Sequence, residues 1–92
     1  MRVLYFFSRI LSENSDIWEI VGQTSAKHEV TVALMGQAVI NLSSDSLMKA
    51  LSEGVDVCVV GDDPIHVSSK IRQVSVRDFP SLVRGYDRLI SV

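Results

Sequence analysis

The side chains of this chain that could do chemistry are concentrated in one short stretch near its middle. Cys58 is the only cysteine. It could act as a nucleophile or carry sulfur if its thiol ionises, because the thiolate is the reactive form. Asp62 and Asp63 are the only two adjacent acids, and paired carboxylates can hold a divalent cation or assist phosphoryl transfer. Any hypothesis about function therefore has to account for residues 55–63.

The position of Cys58 favours a structural role over a chemical one. Reactive cysteines normally lie near a helix N-terminus or a cationic side chain and are partly exposed. Cys58 instead lies in the middle of the valine-rich run 55–60, which is typical of a strand buried on both faces. We expect it to behave as a small buried hydrophobe, and a persulfide carrier that uses Cys58 directly is the alternative.

The acid pair is better explained by a turn than by a metal site. Residues 61–64 read Gly-Asp-Asp-Pro, which is typical of a chain reversal after a strand. A catalytic cation site would need further oxygen ligands and a positioned lysine, and Lys70 is the only lysine nearby. A metal- or phosphate-dependent enzyme that uses Asp62 and Asp63 is the second alternative. The two histidines lack metal-ligand spacing and no nucleotide-binding motif is present, so we expect no metal and no cofactor.

Alternating apolar and amphipathic stretches predict the elements that position these residues. Apolar runs predict five strands at 3–7, 30–35, 55–60, 71–76 and 89–92. Helical spacing predicts a helix from Asp16 to about Lys27, one capped by Ser43 or Ser44 with Gly54 just past its end, and one capped by Asp78. Residues 65–70 are expected to form a short turn or a ragged helix. The alternation predicts a single three-layer α/β domain over residues 1–92, with a mainly parallel five-stranded sheet and helices on both faces.

Composition narrows the function classes. A net charge of −2 argues against a protein that binds nucleic acid by charge alone. A single cysteine cannot form an internal disulfide, and no apolar stretch approaches the roughly 20 residues that cross a bilayer, so we expect a cytoplasmic protein without a membrane partner. Residues 1–63 carry four basic and nine acidic side chains, whereas residues 64–92 carry five basic and two acidic ones. This asymmetry is compatible with an interface between unlike surfaces, although separately solvated charges are more common.

Several segments of the chain resemble the small sulfur-relay proteins of the DsrE/DsrF/DsrH superfamily, most closely the DsrH (TusB) branch. The stretch 57–63, Val-Cys-Val-Val-Gly-Asp-Asp, is similar to the branch's third strand and the acidic turn after it. Residues 74–83, with the Asp78-Phe79 pair between a strand and an apolar helix, resemble the next unit, and residues 86–92 resemble the closing strand. Residues 34–39 are a fainter match to the strand and loop that follow the first helix.

The resemblance implies a flavodoxin-like fold and a subunit of a cytoplasmic persulfide-transfer complex, serving either 2-thiolation of the tRNA wobble uridine or sulfur oxidation. In this superfamily the sulfur-carrying cysteine belongs to the DsrE (TusD) type of subunit, after the third strand. The corresponding position in this chain is near Val60 or Gly61, and neither residue has a thiol. The resemblance therefore implies a subunit that carries no sulfur itself and is more a non-catalytic member of a sulfurtransferase complex than an enzyme.

The implied partners are DsrE- and DsrF-like (TusD- and TusC-like) subunits or further copies of this chain, with a downstream sulfur-acceptor protein. The binding or interface residues expected on this basis are Trp18, Gly36, Gln37, Gly61, Asp62 and Asp63. Trp18 lies off the apolar stripe of its predicted helix, so it is expected either at the edge of the core or facing a partner.

Overall fold

The computed structural model describes residues 1–8, 16–36, 45–62 and 71–92. Five strands and three helices lie within these residues. In chain order they are β1 (Arg2–Phe7), α1 (Asp16–Ser25), β2 (Glu29–Met35), α2 (Asp45–Ser52), β3 (Asp56–Val60), β4 (Ile71–Val74), α3 (Phe79–Val83) and β5 (Arg88–Ser91). The strands form one sheet in the order β4-β3-β2-β1-β5, and all four neighbouring pairs are parallel. The predicted α/β class with a parallel five-stranded sheet is confirmed, and the architecture is flavodoxin-like.

The alternation of side chains along each strand divides the core into two layers. Val3, Tyr5 and Phe7 of β1 point towards α1 and α2, together with the odd-numbered valines of β3. Leu4 and Phe6 point to the opposite face, where they pack with Cys58 and the apolar side of α3. Helices on both faces bury both sides of the central strands, which is why their sequences are apolar throughout.

The connection from β4 to β5 crosses one face of the sheet. β1 to β3 follow one another as neighbours through α1 and α2, whereas β5 pairs with β1 at the far side from β4. The connection from β4 to β5 contains α3 and covers the second face. Residues from the two ends of the chain, Arg2 and Asp87 among them, are thereby placed in contact.

The predicted end of β4 lies two residues beyond the observed end. β4 ends at Val74 rather than at residue 76, because the next residues turn back through hydrogen bonds from the N–H groups of Asp78 and Phe79 to the carbonyl of Ser75. Asp78 does stand at the N-cap position of α3, but its side chain makes no capping hydrogen bond. The predicted caps Ser43 and Ser44 and the predicted turn at 65–70 lie outside the described residues.

Gly54 ends α2 in the way that its sequence position predicts. Its φ is +98°, its N–H bonds to the carbonyl of Leu51 at 3.2 Å, and the N–H of Val55 bonds to the carbonyl of Ala50 at 3.1 Å. These two bonds form a Schellman motif, which requires a backbone conformation that only glycine adopts without strain. The turn delivers the chain directly into β3.

We expect Gly54→Ala to lower the free energy of unfolding by about 1–2 kcal/mol, because alanine at this φ is strained. Gly22→Ala is the matched control. Gly22 lies inside α1, and an added Cβ would meet no atom within 4 Å, so this change should raise stability by about 0.5–1 kcal/mol. Urea denaturation of both variants measures the difference. A stabilising Gly54→Ala would show that the turn is not held as described.

Candidate functional site

Cys58 lies in the interior of the sheet, on the face covered by α3. It stands opposite Ala33 of β2 and Arg72 of β4 in the strand register, and its side chain has no exposed surface. Burial raises the pKa of the Cys58 thiol to about 11, against a smaller opposing effect of the Arg72 guanidinium. At neutral pH the thiol is protonated and enclosed, so it is not available as a nucleophile in this conformation.

A polar network lies beside Cys58 on the same face of the sheet. The Arg72 guanidinium donates to the Asp56 carboxylate at 2.8 Å, and the Thr31 hydroxyl donates to the same carboxylate oxygen at 3.4 Å. Tyr86, just after α3, meets Thr31 with its hydroxyl at 2.5 Å. Either hydroxyl can be the donor in the Thr31–Tyr86 pair, because the Thr31–Asp56 distance is long for an O–H···O bond. This network joins three strands to the segment that crosses over them.

The side chains around Arg72 favour its charged form. Partial burial alone would lower its pKa, but the neighbouring Asp56, Cys58 and Tyr86 together outweigh that effect, so the pKa of Arg72 lies above its ordinary value. The side chains of Arg72 and Asp56 are each about half exposed. The pair therefore forms a polar border beside the enclosed thiol, and solvent screening keeps its contribution to stability small.

Arg2 fastens the C-terminal segment to the start of β1. Its Nη1 donates to the carbonyl of Gly85 at 2.7 Å, and its guanidinium carbon lies 4.6 Å from the centre of the Tyr86 ring. Its backbone N–H donates to the Asp87 carboxylate at 2.8 Å, and its Nε pairs with Glu29 at 3.1 Å. An added Cβ at Gly85 would lie 3.2 Å from Arg2 Nη1, a tight contact that a small shift of the arginine side chain would relieve.

Sequence reasoning did not find this network. Its members are common residue types separated by up to 55 positions, between Thr31 and Tyr86, and no local pattern connects them. The one available signal was that Thr31 and Asp56 interrupt otherwise apolar strands, since a polar side chain at an inward position requires a partner.

We expect Tyr86→Phe to cost about 1 kcal/mol of stability, because it removes one hydroxyl group and its hydrogen bond but leaves the ring in place. Tyr5→Phe is the matched control, since the Tyr5 hydroxyl bonds Thr24 of α1 at 2.9 Å on the opposite face. Amide hydrogen exchange should accelerate around residues 84–87 only in Tyr86→Phe. Equal acceleration in both variants would mean that Tyr86 does not specifically hold the crossing segment.

Only some of the residues predicted at the carboxyl ends of the strands contact a neighbouring strand in the structure. Gly61 donates its N–H to the carbonyl of Val74 at 2.9 Å and accepts from the Gln73 amide at 2.9 Å. The Asp62 carboxylate is exposed and accepts from the N–H of Val76 at 3.3 Å. These contacts make residues 61–62 part of the junction between β3 and β4.

Gly36 ends β2 with φ +62°, a left-handed conformation that suits glycine. Gln37 and Asp63 lie outside the described residues, so the predicted acid pair is described only at Asp62. Within residues 1–8, 16–36, 45–62 and 71–92, no group of three or more His, Cys, Asp or Glu side chains is placed to hold a metal ion.

Trp18 lies at the edge of the core, on the border of a groove between α1 and α2. Its ring packs edge-on against Phe7, with ring centres 5.4 Å apart, and is partly buried. The groove has a volume of about 470 Å³ and is bordered by Glu19 on α1 and by Lys49 and Glu53 on the α2 side. Trp18 therefore lies at the edge of the core and contributes to an open surface, and its role in facing a partner stays a prediction.

Comparison with known proteins identifies the fold. No protein-family model matches the chain, and no curated protein matches it. Among solved structures, the crystal structure of the YchN protein from E. coli is similar, with a TM-score of 0.67 and 9% sequence identity over 100% of both chains. At this identity the likeness shows a shared fold. In the part of the chain that the structure describes, no helix is long and apolar enough to span a membrane.

Proposed function

We propose that this chain is a subunit of a cytoplasmic persulfide-transfer complex that supports the complex without carrying sulfur. The observation that carries the proposal is the state of its single thiol. Cys58 has no exposed surface and a pKa raised by burial to about 11, and the chain has no second cysteine. The resemblance to the DsrH (TusB) branch supports the sulfur-relay context, and the flavodoxin-like architecture agrees with the fold that this resemblance implies.

The chemistry explains why a chain without a usable thiol would act through partners. In persulfide transfer an acceptor thiolate attacks the outer sulfur of a donor persulfide, the S–S bond breaks, and the donor leaves as a thiolate. Every step needs an accessible thiolate. The donor and acceptor would be DsrE- and DsrF-like subunits and a downstream acceptor protein, with tRNA wobble-uridine thiolation or sulfur oxidation as the process served.

A tagged pull-down from the native host, followed by intact-mass measurement under non-reducing conditions, tests the proposal. We expect small thiol-bearing partners to co-purify, one of them carrying an added mass of about 32 Da for one sulfur atom, while this chain stays unmodified. The same increment on this chain, lost in Cys58→Ser, would make it the carrier instead. Absence of both a small partner and added sulfur would contradict the proposal.

The metal-dependent alternative is tested separately. A cation bound by Asp62 and Asp63 in the native state should raise the melting temperature. We expect Mg²⁺ and Mn²⁺ to leave it unchanged, because the described carboxylate of Asp62 already accepts a backbone hydrogen bond and no ligand cluster surrounds it among the described residues. A rise that disappears in Asp62→Asn would support the enzyme alternative over the subunit.

A further inference from the structure

The face of the sheet beneath α3 changes from apolar to polar along its strands. Towards the carboxyl ends, Ala33, Cys58 and Val60 pack with the apolar side of α3. Side chains alternate along each strand, so towards the amino ends the same face carries the polar residues Arg2, Glu29, Thr31, Asp56 and Arg72. α3 has only five residues, and it covers the apolar half of this face while much of the polar half stays open.

An open recess of about 390 Å³ lies in this polar half. Thr31 is 4% exposed and contributes to its lining, and it is the only buried polar residue in the part of the chain that the structure describes. The Tyr86 hydroxyl also lines the recess, where it bonds that of Thr31. Further polar side chains in the lining are Arg2, His28, Glu29 and Asp56. A concave surface with a few converging polar groups is the usual form of a small-molecule site.

Two charged groups of the recess keep hydrogen-bonding atoms that the described residues do not use. The Arg72 guanidinium and the Thr31 hydroxyl both bond Oδ2 of Asp56, and no described residue bonds its Oδ1. Arg2 uses Nη1 and Nε for its contacts, and its Nη2 has no acceptor among the described residues. A ligand that supplies both a donor and an acceptor would satisfy both atoms.

The spacing of the strands limits the size of such a ligand. Arg2 and Asp56 lie on either side of β2 and two register positions apart, so their backbones are separated by about 12 Å. The Arg2 guanidinium carbon crosses part of this gap, because it lies 4.6 Å from the centre of the Tyr86 ring. The Tyr86 hydroxyl in turn reaches Thr31, the register partner of Asp56. A ligand whose two polar ends are separated by a few bonds fits between the two charged groups.

The charges in and around the recess disfavour other ligand classes. Arg2 and Arg72 carry two positive charges. Three negative charges face them, on Glu29, on Asp56 and on Asp87, which accepts from the backbone N–H of Arg2. This excess of negative charge disfavours phosphate and other anions. No group of three metal-ligating side chains is present among the described residues. A ligand with two opposite, separated charges matches the balance.

We propose that this recess binds a small zwitterion of the free amino-acid type, with its carboxylate on Arg2 and its ammonium group on Asp56. Guanidinium–carboxylate and ammonium–carboxylate contacts are charge-assisted hydrogen bonds, which are stronger than neutral ones. The hydroxyl groups of Thr31 and Tyr86 lie between the two charged groups and are available to either end of the ligand. The volume of the recess leaves room for the side chain of the amino acid.

A titration followed by amide NMR shifts tests the proposal. The probes are L-alanine, L-glutamine and L-phenylalanine, which differ in size. We expect at least one to give saturable shifts at residues that line the recess, with a Kd in the millimolar range or below. For that amino acid, the amide lacks the carboxylate, the N-acetyl derivative lacks the ammonium group, and the N-acetyl amide lacks both. Loss of either charge should weaken binding about tenfold or more.

Two variants assign the charges to their partners. In Arg2→Gln the amino acid and its amide should bind equally well, while the amino acid is still preferred over its N-acetyl derivative. In Asp56→Asn the preference over the N-acetyl derivative should disappear and the preference over the amide should remain. A purely structural role of either residue would weaken all four ligands alike, so the pattern separates binding from folding. Circular dichroism checks that both variants are folded.

The matched control is Glu19→Gln/Lys49→Gln, which neutralises two charges on the α1–α2 face and should bind like the wild-type chain. The inference would be overturned by an absence of saturable shifts with all three amino acids, by equal binding of the N-acetyl amide, or by variants that weaken every ligand to the same degree. It does not rest on the proposed function, because the recess lies at the amino ends of the strands, whereas residues 61–62 follow the carboxyl end of β3. The titration and the pull-down can therefore fail separately.

Discussion

Cys58 is expected to react with a thiol reagent at least about 100-fold more slowly in the native protein than in the unfolded chain at pH 8. Burial raises its pKa from 9.0 to about 11. Because the pKa is two units higher, the thiolate fraction at pH 8 is about a hundredfold smaller in the native protein than in the unfolded chain. The complete enclosure of the side chain adds to this protection. Stopped-flow labelling with and without denaturant measures the ratio. A native rate close to the unfolded rate would favour the direct-carrier alternative.

The same shift predicts a loss of stability in alkali. The unfolded chain releases the thiol proton above pH 9, whereas the native protein holds it until about pH 11, so the contribution is full below pH 9 and lost as the pH rises to 11. The expected loss is roughly 1.4 kcal/mol per pH unit across this range. Cys58→Ala is the control, because it keeps every other titrating group and should lose stability less steeply. Parallel curves for the two proteins would contradict the raised pKa.

Phe7→Ala is expected to cause the largest loss of stability, about 3–5 kcal/mol. Phe7 has no exposed surface and lies in the larger core layer, where its ring packs edge-on against the ring of Trp18. A domain of this length has a total stability of about 5–14 kcal/mol, so the variant should lose a large part of its stability. Phe7→Leu conserves most of the volume and should cost less than about 1.5 kcal/mol, which keeps the effect measurable.

Phe6→Ala is the matched control for that experiment. Phe6 is the next residue along β1 but points to the α3 face, where it is only partly buried and packs on Phe79 with ring centres 5.2 Å apart. Its removal should cost clearly less than removal of Phe7. Urea denaturation followed by the fluorescence of Trp18, the only tryptophan, reports both variants. A Phe6→Ala variant as unstable as Phe7→Ala would mean that the α3 layer is packed as tightly as the α1–α2 layer.

The fold class and the ends of several elements could be predicted from the sequence, because those signals are local. Apolar runs shorter than ten residues, separated by helical spacing, require strands covered by helices. Gly54 marked the end of α2 because only a few consecutive residues form the Schellman motif there. The buried position of Cys58 followed from its valine neighbours in the same way. The end of β4 was predicted two residues too late, since the apolar pattern continues past the point where Ser75 begins a turn.

The strand order and the residues that surround the thiol could not be predicted from local patterns. The crossing of α3 places β5 beside β1, and this brings Arg2 onto Tyr86 and Asp87 from the other end of the chain. The parallel register of β3 and β4 places Arg72 beside Cys58 and within 2.8 Å of Asp56. These contacts join residues that are distant in sequence and carry no shared periodicity. They form because both faces of the sheet must be buried at once, and this requirement determines which strands become neighbours. It depends on the packing of the whole core and not on any single segment.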